Sequence, residues 1–227
     1  MSAATPQASI KPSLPHTVAQ VWHHSGQLGG SGPILPDGCR DLIVTELEGQ
    51  RPQWRVTTLY DSPQQPERMC VQRMIGFRLA PGAQVNDPDL ITALGQLQSW
   101  DEATVCELLQ DYTQLNSRAS EALGCLAEEQ QTIAASARAL GVTLKTLQRT
   151  LARHTNRSPV YWRQLARIRQ AARRINQPES WADFALETGF CDQAHMTREF
   201  QRWFGVSPMQ FAGHTSFQQQ VKSIAFG

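Results

Sequence analysis

The sequence predicts an α+β chain: a β-rich N-terminal part with helices after it, then an all-α part in which two helix-turn-helix units are joined by a linker helix. Three observations predict it. Short apolar runs broken by Gly and Pro fill residues 18–86, the apolar spacing changes to threes and fours from Asp87 onward, and the C-terminal half of the chain contains a degenerate internal duplication. At 227 residues the chain is long enough for two ordinary domains with a sizeable core.

Residues 1–17 are rich in Pro, Ser and Thr and read as an extended arm. Strands are expected over Thr17 to His23, Asp41 to Leu47, Trp54 to Thr58 and Cys70 to Leu79. Turn chemistry lies between or beside them at Gly29-Gly30, Pro36-Asp37-Gly38 and Pro81-Gly82. Residues 87–130 then read as a helical linker or dimerisation region. Leu90, Ile91, Leu94 and Leu97 form one amphipathic stripe, and Val105, Leu108, Leu109 and Tyr112 form a second with Asp101 as its N-cap. A third helical stretch, Ser117 to Glu129, ends in Glu-Glu-Gln-Gln, the expected domain boundary.

The duplication occupies residues 131–214. In its first copy Ile133, Ala134, Ala137 and Leu140 run into Gly141-Val142-Thr143, and the pattern restarts at Leu144, Leu147 and Leu151. Gly141 is suited to the left-handed residue that ends a helix, and Thr143 to capping the next. The second copy reads Ala182, Ala185 and Leu186, then Thr188-Gly189-Phe190 and the cap Asp192, followed by Met196, Phe200, Trp203 and Phe204. The apolar members are core; the outward polar residues are the candidates for function. Those are Lys145, Gln148 and Arg149 in one copy and Gln193, His195 and Arg198 in the other. Arg offers guanine a bidentate fork and Gln can pair with the adenine edge, so these residue types suit base reading in the major groove. His195 ranks lower, because a residue there can also cap or contact phosphate.

Between the copies, Pro159 fits the first turn of a helix whose apolar face is Tyr161, Leu165, Ile168, Ala172 and Ile175. Its other face carries Arg163, Arg167, Arg169, Arg173 and Arg174, about half of them expected near phosphate and the rest solvated or in ion pairs. The phosphate candidates are Thr143, Thr146, Arg153, Arg163, Arg167 and Arg202. Residues 215–227 read as a tail.

Charge agrees with this division. Up to Gln130 there are 8 Lys+Arg against 15 Asp+Glu, and beyond it 13 against 5, so the two parts carry −7 and +8. The second part suits a polyanion and the first would be repelled by it. The five cysteines show no C-x-x-C pair and no neighbouring His cluster, which points away from a zinc site, a disulfide framework or a metal cofactor. No apolar run reads as a secretory signal or membrane span, so a reducing, cytoplasmic compartment is expected.

Together these residues resemble the DNA-binding domain of the AraC/XylS family of transcription regulators over residues 131–213. The resemblance rests on Gly189-Phe190-Cys191-Asp192-Gln193-Ala194-His195-Met196-Thr197-Arg198-Glu199-Phe200, followed by Gln201-Arg202-Trp203-Phe204-Gly205-Val206-Ser207-Pro208. In the first copy Gly141, Thr143, Leu147, Arg149, Leu151, Ser158 and Pro159 carry it. It implies base-edge or nearby contacts from Lys145, Gln148 and Arg149, and from Gln193, Ala194, His195 and Arg198. Ala194 departs from the polar residue common there and suggests a thymine methyl contact. Asn156 stands where the family usually has Gly, and Asn tolerates the left-handed conformation. Met196 stands where Phe is usual, a core exchange.

More loosely, Leu35 to Ile43 and Gly76 to Gly82 resemble a β-rich domain that precedes some regulators of this family. The implied role is effector binding or dimerisation, with Trp22, His23, Asp37, Cys39, Arg40, Phe77 and Arg78 as ligand-pocket candidates. The competing reading is structural: Pro36-Asp37-Gly38 is a turn signal, and Asp41 or Arg78 closes a salt bridge. Double-stranded DNA is the expected partner, with RNA polymerase, a small-molecule effector and a second copy of the chain as further ones. An enzyme is not expected. The two alternatives are a DNA-associated thiol enzyme of the alkylation-repair type and a basic helical module that binds an acidic protein.

Overall fold

A computed structural model describes residues 14–28 and 32–227; residues 1–13 of the expected arm and the Gly29-Gly30 turn lie outside the described residues. The N-terminal region is an antiparallel sheet in the order β1-β4-β2-β3, formed by β1 (Val18–Gln27), β2 (Asp41–Glu46), β3 (Gln53–Val56) and β4 (Cys70–Leu79). β1 runs four residues past the expected His23. Its ladder with β4 absorbs register shifts between Val18 and Gln20 and between His24 and Gly26, and Gly26 takes a positive φ of 89°.

Alternation along the strands divides the sheet into two faces. Leu42, Val44, Ile75, Phe77 and Leu79 point to one, where α1 (Asp87–Gly95) and α2 (Glu102–Tyr112) cover them with Leu90, Leu94, Val105, Cys106 and Leu109. Each such side chain fully withdrawn from water contributes about 1.5–3 kcal/mol. The other face carries a smaller cluster of Ile43, Val71 and Met74, with Trp22 lying against Gly76. A Cβ at Gly76 would meet the indole ring about 2.0 Å away, so no larger residue fits under Trp22. Asp101 caps α2 by accepting from the Thr104 amide. A short pairing of β5 (Gln84–Val85) with β6 (Thr113–Gln114) closes this region.

The second core belongs to α3 (Ser117–Ala127), α4 (Ile133–Ala139), α5 (Leu144–Thr155), α6 (Pro159–Arg174), α7 (Trp181–Glu187), α8 (Gln193–Phe204), α9 (Pro208–Gly213) and α10 (Thr215–Lys222). Residues 87–130, expected to act as one linker, are therefore divided. α1 and α2 pack on the sheet, whereas Ala119, Ala122, Leu123 and Leu126 of α3 enter the core around α6. The expected tail is also built in, since Phe217, Val221 and Phe226 are buried in that core.

Candidate nucleic-acid interface

Each helix-turn-helix unit is set by local chemistry. α4 ends at Gly141, whose φ is +65°, and Thr143 caps α5 by accepting from the Thr146 amide at 3.1 Å. α7 ends at Gly189, φ +81°, and Asp192 caps α8 by accepting from the His195 amide at 2.6 Å. The buried stripes are Leu147, Leu151 and Thr155 on α5, and Met196, Phe200, Trp203 and Phe204 on α8. α5 stops at Asn156 in the left-handed conformation, φ +54°, as its composition suggests.

The linker helix α6 packs against both α5 and α8. Ser158 caps it and Pro159 opens it; its 16 residues span about 24 Å at 1.5 Å each. Trp162, Leu165, Ala166 and Ile168 are buried completely, which fixes its rotation.

Of the base-reading candidates, Lys145, Gln148 and Arg149 on α5 and Gln193, Ala194 and Arg198 on α8 are exposed. His195 differs: its ring is half-buried, edge-on to Phe190 at 5.5 Å, and its Nδ1 accepts from the Cys191 amide at 3.4 Å. These contacts brace the start of α8.

The phosphate candidates fall into two groups. Arg153 is an exposed cation, and Thr143 and Thr146 share a hydroxyl contact of 2.9 Å at the exposed start of α5. The other arginines reach into the protein. Arg163 donates to the carbonyls of Leu126 and Glu128, tying down the end of α3, and burial followed by repulsion from Arg167 lowers its pKa. Arg167 donates to the Gly189 carbonyl and lies over the Phe190 ring at 4.8 Å. Arg202 reaches Gln164 at 3.2 Å and lies over Trp203 at 5.0 Å, still partly exposed. Arg174 faces Glu187. Arg169 and Arg173, expected on the outer face of α6, turn inward instead: Arg169 is fully buried and Arg173 half-buried. Their partners are backbone carbonyls far away in sequence, which no residue pattern announces.

The N-terminal candidates do not line one cavity. Trp22 Nε1 donates to Asp41 at 2.8 Å, Arg78 joins Asp41 and Asp37, and the Cys39 amide donates to Asp37 at 2.9 Å. These five residues make a largely buried polar cluster beside one face of the sheet. Phe77 points to the opposite face, His23 pairs with Glu102 near solvent, and Arg40 binds Asp87 and the Thr57 carbonyl. A cleft of about 480 Å³ lies between the sheet region and the last turn of α5, lined by Arg40, Leu59, Ala80, Gln84, Arg153, His154 and Arg157 among others; of the seven candidates, Arg40 lines it. Sequence reasoning missed Tyr60, Asp61 and Gln84, which bridge the two regions: Arg157 donates to Asp61 and Leu59, Tyr161 to the Tyr60 carbonyl, and His154 contacts Gln84.

Residues 136–214 match a family of helix-turn-helix domains. The match covers 79 of the 227 residues and places the C-terminal region among helix-turn-helix domains. Solved structures similar to the chain include the C-terminal domain of AraT, a response regulator from Geobacillus stearothermophilus. That likeness has 21% identity over 44% of this chain and 87% of that one, with a TM-score of 0.39. An AraC-type regulator from Chromobacterium violaceum is 18% identical over 47% of this chain and 95% of that one, at a TM-score of 0.39. ToxT from Vibrio cholerae is 9% identical over 86% of this chain and 97% of its own, at 0.41. No curated protein matches. Among the described residues, no helix is long and apolar enough to cross a membrane, and no group of three metal-ligating side chains occurs.

Proposed function

We propose that the chain binds promoter DNA sequence-specifically by placing α5 and α8 in successive major grooves, with the N-terminal region modulating that binding. One observation carries the reading: two capped helices, each with an apolar side buried and a polar side exposed, are both packed against one rigid helix. On this reading Lys145, Gln148 and Arg149 read one block of bases, and Gln193, Ala194 and Arg198 the next. Thr143, Thr146 and Arg153 face phosphate. His195, Arg163 and Arg167 serve chiefly to hold the reading helices in place, and Arg202 bears on the backbone.

The surroundings of Cys39, Cys106 and Cys125 count against an attacking thiolate at those three positions. Burial pushes the Cys39 thiol far up, and burial with neighbouring carboxylates also raises Cys106 and Cys125. An attacking thiolate needs the opposite shift. An effector, on this proposal, acts through the N-terminal region; the cleft beside Arg153 and His154 is where a bound molecule would bear on α5.

Selection of bound duplexes from a random library tests the reading. The expected site has two preferred blocks about one helical turn, ~34 Å, apart. Arg149→Ala relaxes preference in one block and Arg198→Ala in the other, each by ~1–3 kcal/mol. Equal losses on selected and scrambled duplexes would overturn the base-reading roles.

A further inference from the structure

Residues 220–227 pass between the N-terminal region and α6 and bind both. Arg169 lies midway along α6, wholly buried, and its two terminal nitrogens donate to the carbonyls of Pro36 at 3.2 Å and Val221 at 3.1 Å. Its Nε has no partner, and burial lowers its pKa to about 10. Arg173 donates to the Val221 carbonyl at 2.8 Å and also to that of Gly227. From the sheet, Arg78 donates to the Ile224 carbonyl at 3.0 Å while it holds Asp37 at 2.9 Å and Asp41 at 3.3 Å.

Phe226 closes the arrangement. Its amide donates to the Asp37 carbonyl at 2.9 Å, and its ring meets Trp162 of α6 edge-on at 4.7 Å. Gly38 leaves it room: a Cβ there would lie 2.7 Å from the Phe226 Cβ and 3.0 Å from Leu165 and Trp162. The segment therefore touches the turn at Pro36-Asp37-Gly38, the strand residue Arg78 and the inner face of α6 at once.

The energetics make partial displacement of this contact costly. A buried guanidinium whose direct partners are neutral carbonyls from two other segments is tolerated only while both carbonyls are in place. Asp37, the carboxylate nearest in character, is committed to Arg78. If either the turn or the segment moves, Arg169 keeps its desolvation cost and loses a donor's partner, so partial displacement is disfavoured. The outward polar residues of α5 and α8 stay exposed, so the segment does not mask them.

We propose that residues 220–227 are a clasp through which the state of the N-terminal sheet reaches α6. The consequence for DNA rests on the function proposed above; the clasp itself does not.

The test is a double-mutant cycle on the full chain, because coupling energy is what distinguishes a shared element from two independent ones. Hydrogen exchange of the α6 amides from Leu165 to Arg173 is read first. Arg78→Met and Phe226→Ala each speed it about tenfold, and the double variant adds no further loss. Arg73→Met, which breaks the Arg73–Glu46 pair on the same strand, leaves α6 unchanged. Affinity for a selected duplex is read second: Arg78→Met lowers it about tenfold, and this effect vanishes in the Phe226→Ala background. Arg78→Lys, which keeps the charge and packs more conservatively, guards against a variant that fails to fold. Unchanged α6 exchange, or effects of the two changes that simply multiply, overturn the clasp. If the unmodified chain binds all duplexes alike, the DNA reading falls and the amide result alone decides the clasp.

Discussion

Gly141 and Thr143 turn and cap the chain ahead of α5, and Gly189 and Asp192 do the same ahead of α8, yet the two units are held by different means. α8 is seated by its own aromatic side chains: Phe200, Trp203 and Phe204 are buried, and Phe211 of α9 packs on Phe200 and Phe204. α5 has a leaner aliphatic stripe, with Leu144 exposed at its start. Its last turn is tied to the N-terminal region, where Gln84 contacts His154 and Asp61 holds Arg157 beside it. The second unit takes its position from its own core, and the first takes part of its position from a neighbour. A change in the N-terminal region should therefore be felt first in the first unit.

The largest expected effect breaks the second unit at its own core. Trp203→Ala removes a side chain with no exposure and should cost ~3–5 kcal/mol in denaturant unfolding. DNA reading by α8 should be lost before that by α5. Next come the proposed base readers, Arg149→Ala and Arg198→Ala, for which binding to selected and block-scrambled duplexes should separate the two units. The caps come third. Thr143→Ala and Asp192→Ala each remove an acceptor for an exposed helix amide and should each cost ~0.5–2 kcal/mol in thermal unfolding.

What the residue pattern revealed depended on whether a local cause was at work. Caps, left-handed turn positions and apolar stripes are set within four residues, so Thr143, Gly141, Asn156 and Asp192 announce themselves, and β4 was legible from Cys70 to Leu79. The allegiance of α3 was not legible, because an apolar stripe does not say which core it enters. Arg169 was misplaced for a related reason. An arginine on a helix otherwise rich in arginine looks solvated, and its partners at Pro36 and Val221 lie 133 and 52 residues away. In the N-terminal region, Asp37, Asp41, Arg78 and Trp22 do meet, but as a cluster satisfied among themselves.

The smallest expected effect sharpens the contrast between the units. Arg157→Ala cuts the tie to Asp61, a pair partly open to solvent, and should change overall stability by only ~0.2–1 kcal/mol. Its signature should appear in reading by α5 and not by α8, as seen in the two blocks of a selected site.

The most direct test places a DNA-cleaving chelate on each proposed reading helix in turn, through Gln148→Cys and Gln193→Cys. The account predicts cuts in two major-groove segments of the same face of the duplex, ~10 base pairs apart, one for each attachment. Cuts that coincide, or that fall on opposite faces, would contradict it.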